Sequence, residues 1–255
     1  PVLLAARFRG VPTAIHEQNA FPGMANRQLA RFVTAVALGF ADAAPRLGRS
    51  DAVVTGNPIR REMFAVQRHP SGGGRQGLLV FGGSQGSHVL NEAMSGALLF
   101  LARLKDRLDI VHQTGPKELE TVRAAYRNSA FPGARIVPYL DPISEAIGEA
   151  DLVVCRAGAS SIGDVAAIGR AAVLVPFAAA ADNHQEVNAR AVEKAGGAVV
   201  IAERELSPER LALTISELLN DPQRVQRMGA AARILAVPDA SNKIVDLLEK
   251  IEQTE

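Results

Sequence analysis

Two spacings of apolar residues divide most of this chain into short strands and longer helices. Between residues 78 and 201, short apolar runs are separated by segments in which apolar residues recur every three or four positions. The runs predict buried strands at 78–81, 109–113, 135–138, 152–155, 172–176 and 198–201. The segments between them predict helices at 88–105, 116–127, 143–149, 161–168 and 184–195. This alternation implies a parallel sheet covered on both faces, with ligands at the carboxyl ends of its strands.

The first part of the chain predicts fewer strands. After an opening helix, the β-like runs are 13–15, 35–38 and 52–54, and helical spacing occupies 24–32. A turn cluster at 55–58 and a glycine-rich loop at 70–75 predict a lobe boundary near 56–76. The helices predicted to close the chain are 208–219, 222–235 and 241–252. The last helix is amphipathic, so we expect it to pack on the body of the protein.

Composition narrows the class of protein. The chain has 255 residues, of which 47% are hydrophobic and 22% charged, as in ordinary soluble globular proteins of one large or two medium domains. A formal net charge of +1 argues against a nucleic-acid binder held by electrostatics. The single cysteine, Cys155, excludes a disulfide framework, and its apolar surroundings predict a buried, inert thiol. The longest uncharged apolar stretch, 171–181, is too short to span a bilayer.

The segment from Asp151 to Asp164 carries the strongest chemical signal. It runs from an apolar strand through a turn of small residues into a helix with Asp164 predicted in its first turn. Such a turn offers backbone N–H groups and a helix N-terminus to an anion, and Asp164 could accept hydrogen bonds from hydroxyls beside that anion. A phosphate next to a sugar fits this description. The alternative is a plain strand-to-helix connection capped by Ser160 or Ser161.

A second glycine-rich turn, at 81–87, supports the phosphate hypothesis. It is neither a dinucleotide fingerprint nor a Walker A sequence, because the glycine spacing differs and no ribose-binding acid ends the next strand. It also matches the nucleophile-elbow pattern G-x-S-x-G around Ser84, with Asp164, Asp182 and His184 later in hydrolase order. An α/β serine hydrolase with Ser84 as nucleophile is therefore an alternative.

Three further positions could carry chemistry. His16 and Glu17 follow a strand end and offer an imidazole and a carboxylate for acid–base work, although they could equally belong to a polar loop. Arg60 follows the 55–58 turn and is a candidate anion partner, or a solvated surface arginine. Gln185, beside His184 at a helix start, could hydrogen-bond sugar hydroxyls, or both could be ordinary polar groups on the surface of a helix. The sequence shows no metal-ligand cluster.

Five ordered motifs in this chain resemble those of one bacterial family. HEQNAFPGMANRQLARF, VTGNPIR, LLVFGGSQGSHVLNEA, VHQTGPKEL and ADLVVCRAGASSIGDVAAIGR look like the MurG family, the UDP-N-acetylglucosamine:lipid I N-acetylglucosaminyltransferases of peptidoglycan synthesis. The resemblance covers essentially the whole chain. It implies an α/β fold of the GT-B type, with two Rossmann-like lobes, parallel sheets and a truncated N-terminal lobe. The implied divisions are an acceptor-lobe remnant at 1–57, a donor lobe at 58–238 and a helix at 239–255 returning to the first lobe.

The resemblance also implies roles for particular residues. The UDP-GlcNAc contacts would be Asn19, Arg60, Ser84, Leu140, Ala159, Ser160, Ser161, Ile162, Gly163, Asp164 and Gln185. Leu140 would meet uracil through its backbone, and Asp164 would face the ribose. Glu17 or His16 would be the acceptor-side base or an orienting group. Similar enzymes transfer with inversion to the acceptor lipid I and form lipid II, and we expect neither a metal nor another cofactor.

This sequence departs from the family pattern in four places. The family's first glycine-rich loop, with its histidine, belongs upstream of Pro1. Asp164 stands where a glutamate is usual, Ala179 where a histidine is frequent and Ala171 where a proline is common. The complete enzyme is expected on the cytoplasmic face of the bacterial inner membrane, as a peripheral protein, with Arg7, Phe8, Arg9 and the Phe21 loop as possible contributors. A nucleotide-sugar-binding module that is inactive without the missing N-terminal part is an alternative.

Overall fold

The computed structural model describes residues 1–67 and 74–253, which form two α/β lobes. The first lobe has a three-stranded parallel sheet in the order β1-β2-β3. Its elements are α1 (Val2–Phe8), β1 (Ala14–Glu17), α2 (Met24–Leu29), β2 (Ala35–Leu38), α3 (Ala44–Leu47) and β3 (Val53–Val54). Helix α4 (Arg61–Ala65) follows the crossing into the second lobe. Residues of the first core, such as Ile15, Val36 and Leu38, are almost fully buried.

The second lobe has a six-stranded parallel sheet in the order β6-β5-β4-β7-β8-β9. Its strands are β4 (Gln76–Phe81), β5 (Leu108–Gln113), β6 (Arg135–Val137), β7 (Leu152–Cys155), β8 (Ala171–Leu174) and β9 (Ala198–Val200). The helices between them are α5 (His88–Leu101), α6 (Leu119–Arg127), α7 (Ile143–Glu149), α8 (Ala159–Ile168) and α9 (His184–Lys194). The strand order reverses direction between β4 and β7, so this sheet has a topological switch point there.

Helices cover both faces of the second sheet because its strands are apolar on both sides. Leu78 and Val80 of β4 lie in one core, and Leu79 and Phe81 lie in the core on the opposite face. Three helices close the chain: α10 (Pro208–Leu219), α11 (Pro222–Leu235) and α12 (Ala240–Glu252). Helix α10 packs on α5 and α11 packs on α8, whereas α12 returns to β2 of the first lobe.

The chain passes between the lobes at two neighbouring points. The first passage contains Gly56, whose φ of 81° lies in the left-handed region. A Cβ atom built on Gly56 would lie 2.6 Å from the side chain of Val237, which belongs to the returning passage. The two passages are therefore in close contact, and only glycine fits at this position without displacing Val237.

The predicted fold class is confirmed, and its strands lie close to their predicted positions. Several details of the prediction were wrong, including the ends of α2, at Leu29 rather than 32, and of α5, at Leu101 rather than 105. Helix α8 begins at Ala159 rather than at 161, α6 begins at Leu119 rather than at 116, and the short helices α3 and α4 were not predicted. The predicted loop at 70–75 lies mostly outside the described residues. The divisions at 57 and 238 remain predictions, and Cys155 is fully buried as expected, with a pKa raised to about 12 by burial.

Candidate functional site

The turns that follow β4 and β7 meet at the switch point of the second sheet. The ends of the two strands pair directly, with Phe81 opposite Cys155. The glycine-rich turn at 82–87 leaves the first strand, and residues 156–158 leave the second. Ligands of open α/β sheets bind in the crevice at such a point, at the carboxyl ends of the strands.

The first turn of helix α8 lies at this crevice, and no side chain caps its backbone N–H groups. The N-cap residue of the helix is Gly158, in an extended conformation. The predicted capping by Ser160 or Ser161 is wrong, because the helix starts before both residues and holds them in its first turn. For the same reason, Asp164 lies in the second turn rather than the first. The first-turn N–H groups of a helix have no intrahelical acceptor and favour an anion.

Two adjoining cavities open between α8 and its neighbours. The first, of about 280 Å³, is lined by Arg60, Phe81, Gly83, Ser84, Gln113, Tyr139, Leu140, Ile143, Ser160, Ser161 and Asp164. The second, of about 380 Å³, is lined by Gln18, Asn57, Pro58, Ile59, Arg60, Ala159, Ser160 and Asp164. The structure therefore brings together seven predicted donor residues: Arg60, Ser84, Leu140, Ala159, Ser160, Ser161 and Asp164. The side chain of Ile162 is instead buried in the core, and Gly163 faces Ile59.

Asp164 and Arg60 face each other where the two cavities meet. Their nearest oxygen and nitrogen atoms are 3.5 Å apart, a loose ion pair rather than a tight hydrogen-bonded one. Burial raises the pKa of the Asp164 carboxyl, and the Arg60 guanidinium partly opposes that rise. Arg60 also approaches Glu62 at 3.8 Å, and its own side chain is half exposed. The Asp164 carboxylate can therefore still accept hydrogen bonds from a ligand in the cavity.

The glycines of the 82–87 turn serve two different purposes. A Cβ atom on Gly86 would lie 2.0 Å from the carbonyl oxygen of Thr114, so this glycine allows two backbones to pack against each other. Gly83, with a φ of 90°, has open space around the position of a Cβ atom. Of these two glycines, Gly83 therefore leaves room for a ligand to approach the backbone of this turn, and Gly86 does not.

Gln113 connects the two sides of the smaller cavity and was not predicted as a site residue. The side chain is almost fully buried, and its Nε2 donates to the carbonyl oxygens of Gly83 at 3.0 Å and Pro138 at 3.2 Å. The glycine-rich turn and the segment leading to Leu140 are thereby fixed relative to each other. The sequence offered one signal, because Gln113 ends a strand next to β4.

Glu17 is a buried and saturated carboxylate. The residue is 2% exposed, and its Oε1 accepts hydrogen bonds from the backbone N–H and side-chain amide of Asn19. Its Oε2 accepts from the backbone N–H of Gly23 and the side chain of Asn26. Four donors therefore occupy the two carboxylate oxygens, which have about four acceptor positions between them, so none is left for the proton of an acceptor hydroxyl. Of the two predicted roles, this geometry favours an orienting group over a base.

His16 and Asn19 also take part in fixed contacts. His16 donates from Nε2 to the carbonyl oxygen of Gly56 at 3.1 Å, because a carbonyl only accepts. Asn19 accepts at Oδ1 from Asn188 of α9 at 2.9 Å. Neither residue lines the two cavities. The prediction that His16 and Glu17 follow a strand end is wrong, because both belong to β1, whereas Asn19 lies in the loop after that strand. Asn188 was not singled out from the sequence, where it is one polar residue in an ordinary helix.

The loop before α9 has an unusual backbone. Asp182 and Asn183 have φ values of 52° and 53°, in the left-handed region that residues other than glycine seldom occupy. Asp182 pairs with Arg27 of the first lobe at 2.9 Å. Gln185 accepts the backbone N–H of Phe177 at Oε1, at 3.0 Å, and so closes this loop on itself. These contacts place Gln185 at the edge of the loop rather than in either cavity.

The acids required by a serine hydrolase are engaged elsewhere. Asp164 faces Arg60, and Asp182 pairs with Arg27. Ser84 lies in an exposed turn of six residues between β4 and α5, whereas an elbow nucleophile lies on a sharp, strained turn from strand to helix. Within residues 1–67 and 74–253, no group of three or more His, Cys, Asp and Glu side chains is arranged to hold a metal ion. In the same ranges, no helix is long and apolar enough to cross a membrane.

Comparisons with known proteins identify the family of this chain. The glycosyltransferase family 28 C-terminal domain matches residues 77–244, and the N-terminal domain of the same family matches residues 1–38. A relative from Syntrophotalea carbinolica is 44% identical over 98% of this chain and 70% of its own length. It is named UDP-N-acetylglucosamine--N-acetylmuramyl-(pentapeptide) pyrophosphoryl-undecaprenol N-acetylglucosamine transferase. The chain belongs to the MurG family of glycosyltransferases.

A second relative of the same name, from Geotalea uraniireducens, is 43% identical over 96% of the chain and 68% of its own length. The crystal structure of Acinetobacter baumannii MurG has a TM-score of 0.83 and 35% identity over 97% of this chain and 70% of that one. The MurG family has the GT-B fold, and the two parallel-sheet lobes of this chain are therefore those of a GT-B glycosyltransferase. Family membership leaves the serine hydrolase alternative without support.

Proposed function

We propose that this chain transfers N-acetylglucosamine from UDP-GlcNAc to lipid I, forming lipid II in peptidoglycan synthesis. Relatives at 43 and 44% identity carry the name of that transferase. The observation that carries the proposal is the meeting of Asp164, Arg60 and the uncapped start of α8 at the switch point of the sheet. An acceptor for sugar hydroxyls, a cation and an anion-binding helix end are the groups that a nucleoside diphosphate sugar requires.

In the proposed complex, the smaller cavity holds the uridine and the larger cavity holds the sugar. Leu140 and Tyr139 line the end of the smaller cavity that we assign to uracil, and Asp164 accepts hydrogen bonds from the ribose hydroxyls. Because Asp164 already lies at the junction of the cavities, its arm suffices despite being one methylene shorter than a glutamate. The diphosphate lies against the first turn of α8 and Ser84. Asn19, Ile162, Gly163 and Gln185 remain predicted donor contacts.

The proposed chemistry is a direct displacement with inversion. The acceptor hydroxyl attacks the anomeric carbon of GlcNAc as the bond from that carbon to the β-phosphate oxygen of UDP breaks, and the hydroxyl proton passes to a base. Negative charge grows on the departing diphosphate. The N–H groups at the start of α8 and the guanidinium of Arg60 stabilise that charge. His16 remains a predicted base, and Glu17 orients the loop on the acceptor side.

We further propose that the protein works as a peripheral protein on the cytoplasmic face of the bacterial inner membrane. Phe8 and Val2 of α1 are 89% and 81% exposed, and Arg7 and Arg9 flank Phe8. Apolar side chains beside cations suit an anionic lipid surface. Phe21 is a weaker contributor, because its ring lies under the guanidinium groups of Arg27 and Arg46, each 5.2 Å away.

A vesicle-binding measurement tests the membrane proposal. Phe8→Ser should reduce sedimentation of the chain with vesicles that contain anionic lipid. Ile234→Ser is the matched control, because Ile234 is 82% exposed on the donor lobe and should have no effect. If both variants lose vesicle binding to the same extent, the effect is a nonspecific one of surface polarity, and the proposal that α1 contacts the membrane is contradicted.

A transfer assay tests the main proposal. The chain is incubated with labelled UDP-GlcNAc and a lipid I analogue, and the labelled disaccharide lipid is measured. Formation of this product supports the transferase. Binding of UDP-GlcNAc without product would instead support a nucleotide-sugar-binding module that depends on further residues. If the chain neither binds UDP-GlcNAc nor forms the product, the transferase and the binding module are both contradicted.

A further inference from the structure

Asn188 lies at the contact between the two lobes. It belongs to α9 and is completely buried. Its Oδ1 accepts the backbone N–H of Ala20 at 2.7 Å. Its Nδ2 donates to Oδ1 of Asn19 at 2.9 Å and, more weakly, to the carbonyl oxygen of Ala157 at 3.4 Å. One amide therefore makes hydrogen bonds to both lobes, and its oxygen and nitrogen atoms are both used.

The partners of Asn188 belong to the two segments that the reaction must bring together. Ala157 directly precedes Gly158, the residue that caps α8 and begins the donor turn. Asn19 and Ala20 belong to the loop that Glu17 organises by accepting its N–H groups. A continuous hydrogen-bonded path therefore runs from the start of α8 to Glu17. The path is buried at Asn188 and Ala157, where water does not compete with it.

We propose that Asn188 is a positioning residue for glycosyl transfer, which holds the loop at 18–23 in a fixed place relative to the donor turn. The inference rests on the proposed function. Asn188 lines neither cavity, so it acts through Asn19, Ala20 and Ala157 rather than by contact with the donor. Small displacements of groups around reacting atoms cost large factors in rate, so a lost interlobe contact should appear in turnover.

Separate measurements of donor binding and turnover test this role. Asn188→Ala should lower kcat by about tenfold or more, while the Kd for UDP-GlcNAc changes by less than about threefold. The matched control is Arg190→Ala on the same helix, because Arg190 is exposed and pairs with Glu193 at 2.7 Å. The control should leave both constants unchanged. An Asn188→Ala variant with normal kcat, or with equal losses in kcat and donor affinity, would overturn the proposal.

A double-mutant cycle tests the path through Asn19. If the two amides act together, Asn19→Ala should cost much less turnover in the Asn188→Ala background than in the unmutated chain. Additive losses would show that the residues act independently and would count against the path.

Hydrogen exchange tests the coupling between the donor turn and Ala20 in the unmutated chain, so the result does not depend on whether a variant folds. Saturating UDP should slow exchange of the Ala20 amide, because the ligand stabilises the donor turn to which Asn188 connects that N–H group. Unchanged exchange at Ala20 in the UDP complex would overturn the coupling. Absence of transfer by the unmutated chain would count against the proposed function instead, and the exchange measurement would still decide the role of Asn188.

Discussion

Two carboxylates at the cleft, Glu17 and Asp164, lie in opposite surroundings. Glu17, at the end of β1, accepts four hydrogen bonds from the following loop and from Asn26 of α2, and it is 2% exposed. Asp164 faces one guanidinium at 3.5 Å, and burial raises its pKa. The polar groups on the acceptor side therefore hydrogen-bond to one another and fix the local structure. The donor-side turn has polar groups that remain available to a ligand. A carboxylate whose acceptor positions are all occupied, such as Glu17, stabilises the local structure. A carboxylate with unoccupied acceptor positions, such as Asp164, can bind a ligand.

The same contrast exists between two glycines of the 82–87 turn and predicts the largest effect on folding. Gly86→Ala should lower the free energy of unfolding by several kcal/mol, because the new Cβ would meet the Thr114 carbonyl oxygen in addition to the strain of a positive φ. Gly83→Ala should cost only about 1–2 kcal/mol, the backbone strain alone. Urea unfolding measures both, and equal losses would contradict the division of the turn into a packed and an open part.

Replacement of Glu17 should have the largest effect on turnover. Glu17→Ala removes the acceptor of four N–H groups and should lower kcat by about 100-fold, with a much smaller change in donor affinity. Glu17→Gln keeps one oxygen and should retain turnover within about tenfold, whereas loss of a general base would cost about 10²–10⁴-fold. Turnover and titration with UDP-GlcNAc measure the two quantities. Equal losses in both would contradict an acceptor-side role.

Replacement of Asp164 should have the opposite signature. Asp164→Ala should weaken UDP binding by about 10–100-fold, because a charge-assisted hydrogen bond is worth about 1.5–3 kcal/mol. Glu62→Ala is the matched control, since Glu62 is the other carboxylate near Arg60 but is exposed and lies outside both cavities. If the control weakens UDP binding as much as Asp164→Ala does, the general charge around Arg60 rather than the Asp164 contact determines affinity.

The smallest expected effect concerns stability and pH. Because the pKa of Asp164 is raised in the folded state, the folded chain binds this proton more tightly than the unfolded chain. The contribution of Asp164 to stability is therefore fully present below the ordinary carboxyl pKa and is lost as pH rises through the raised value. Asp164→Asn should consequently raise Tm slightly at neutral pH while weakening UDP binding. A lower Tm at neutral pH would show that the charged carboxylate stabilises the fold.

The fold could be predicted from the sequence, but the site could be predicted only in part. Apolar runs such as 152–155 predicted the parallel sheet because burial on both faces requires them. Family motifs located Asp164, Arg60 and Leu140, which the structure brings to adjoining cavities. The saturation of Glu17, however, depends on how the loop folds back on it. Gln113 and Asn188 act through long-range contacts. The strand-end position of Gln113 was the one local signal, and it does not show those contacts, so both residues were missed.

Titration of the unmutated chain with UDP-GlcNAc, UDP-glucose and UDP-galactose tests the central claim most directly. The claim is that the unsaturated groups at the switch point bind a UDP-linked N-acetylglucosamine. We expect one molecule of UDP-GlcNAc to bind per chain, more tightly than either of the other two sugars. Absence of binding by all three UDP sugars, or tighter binding of UDP-glucose or UDP-galactose, would contradict it.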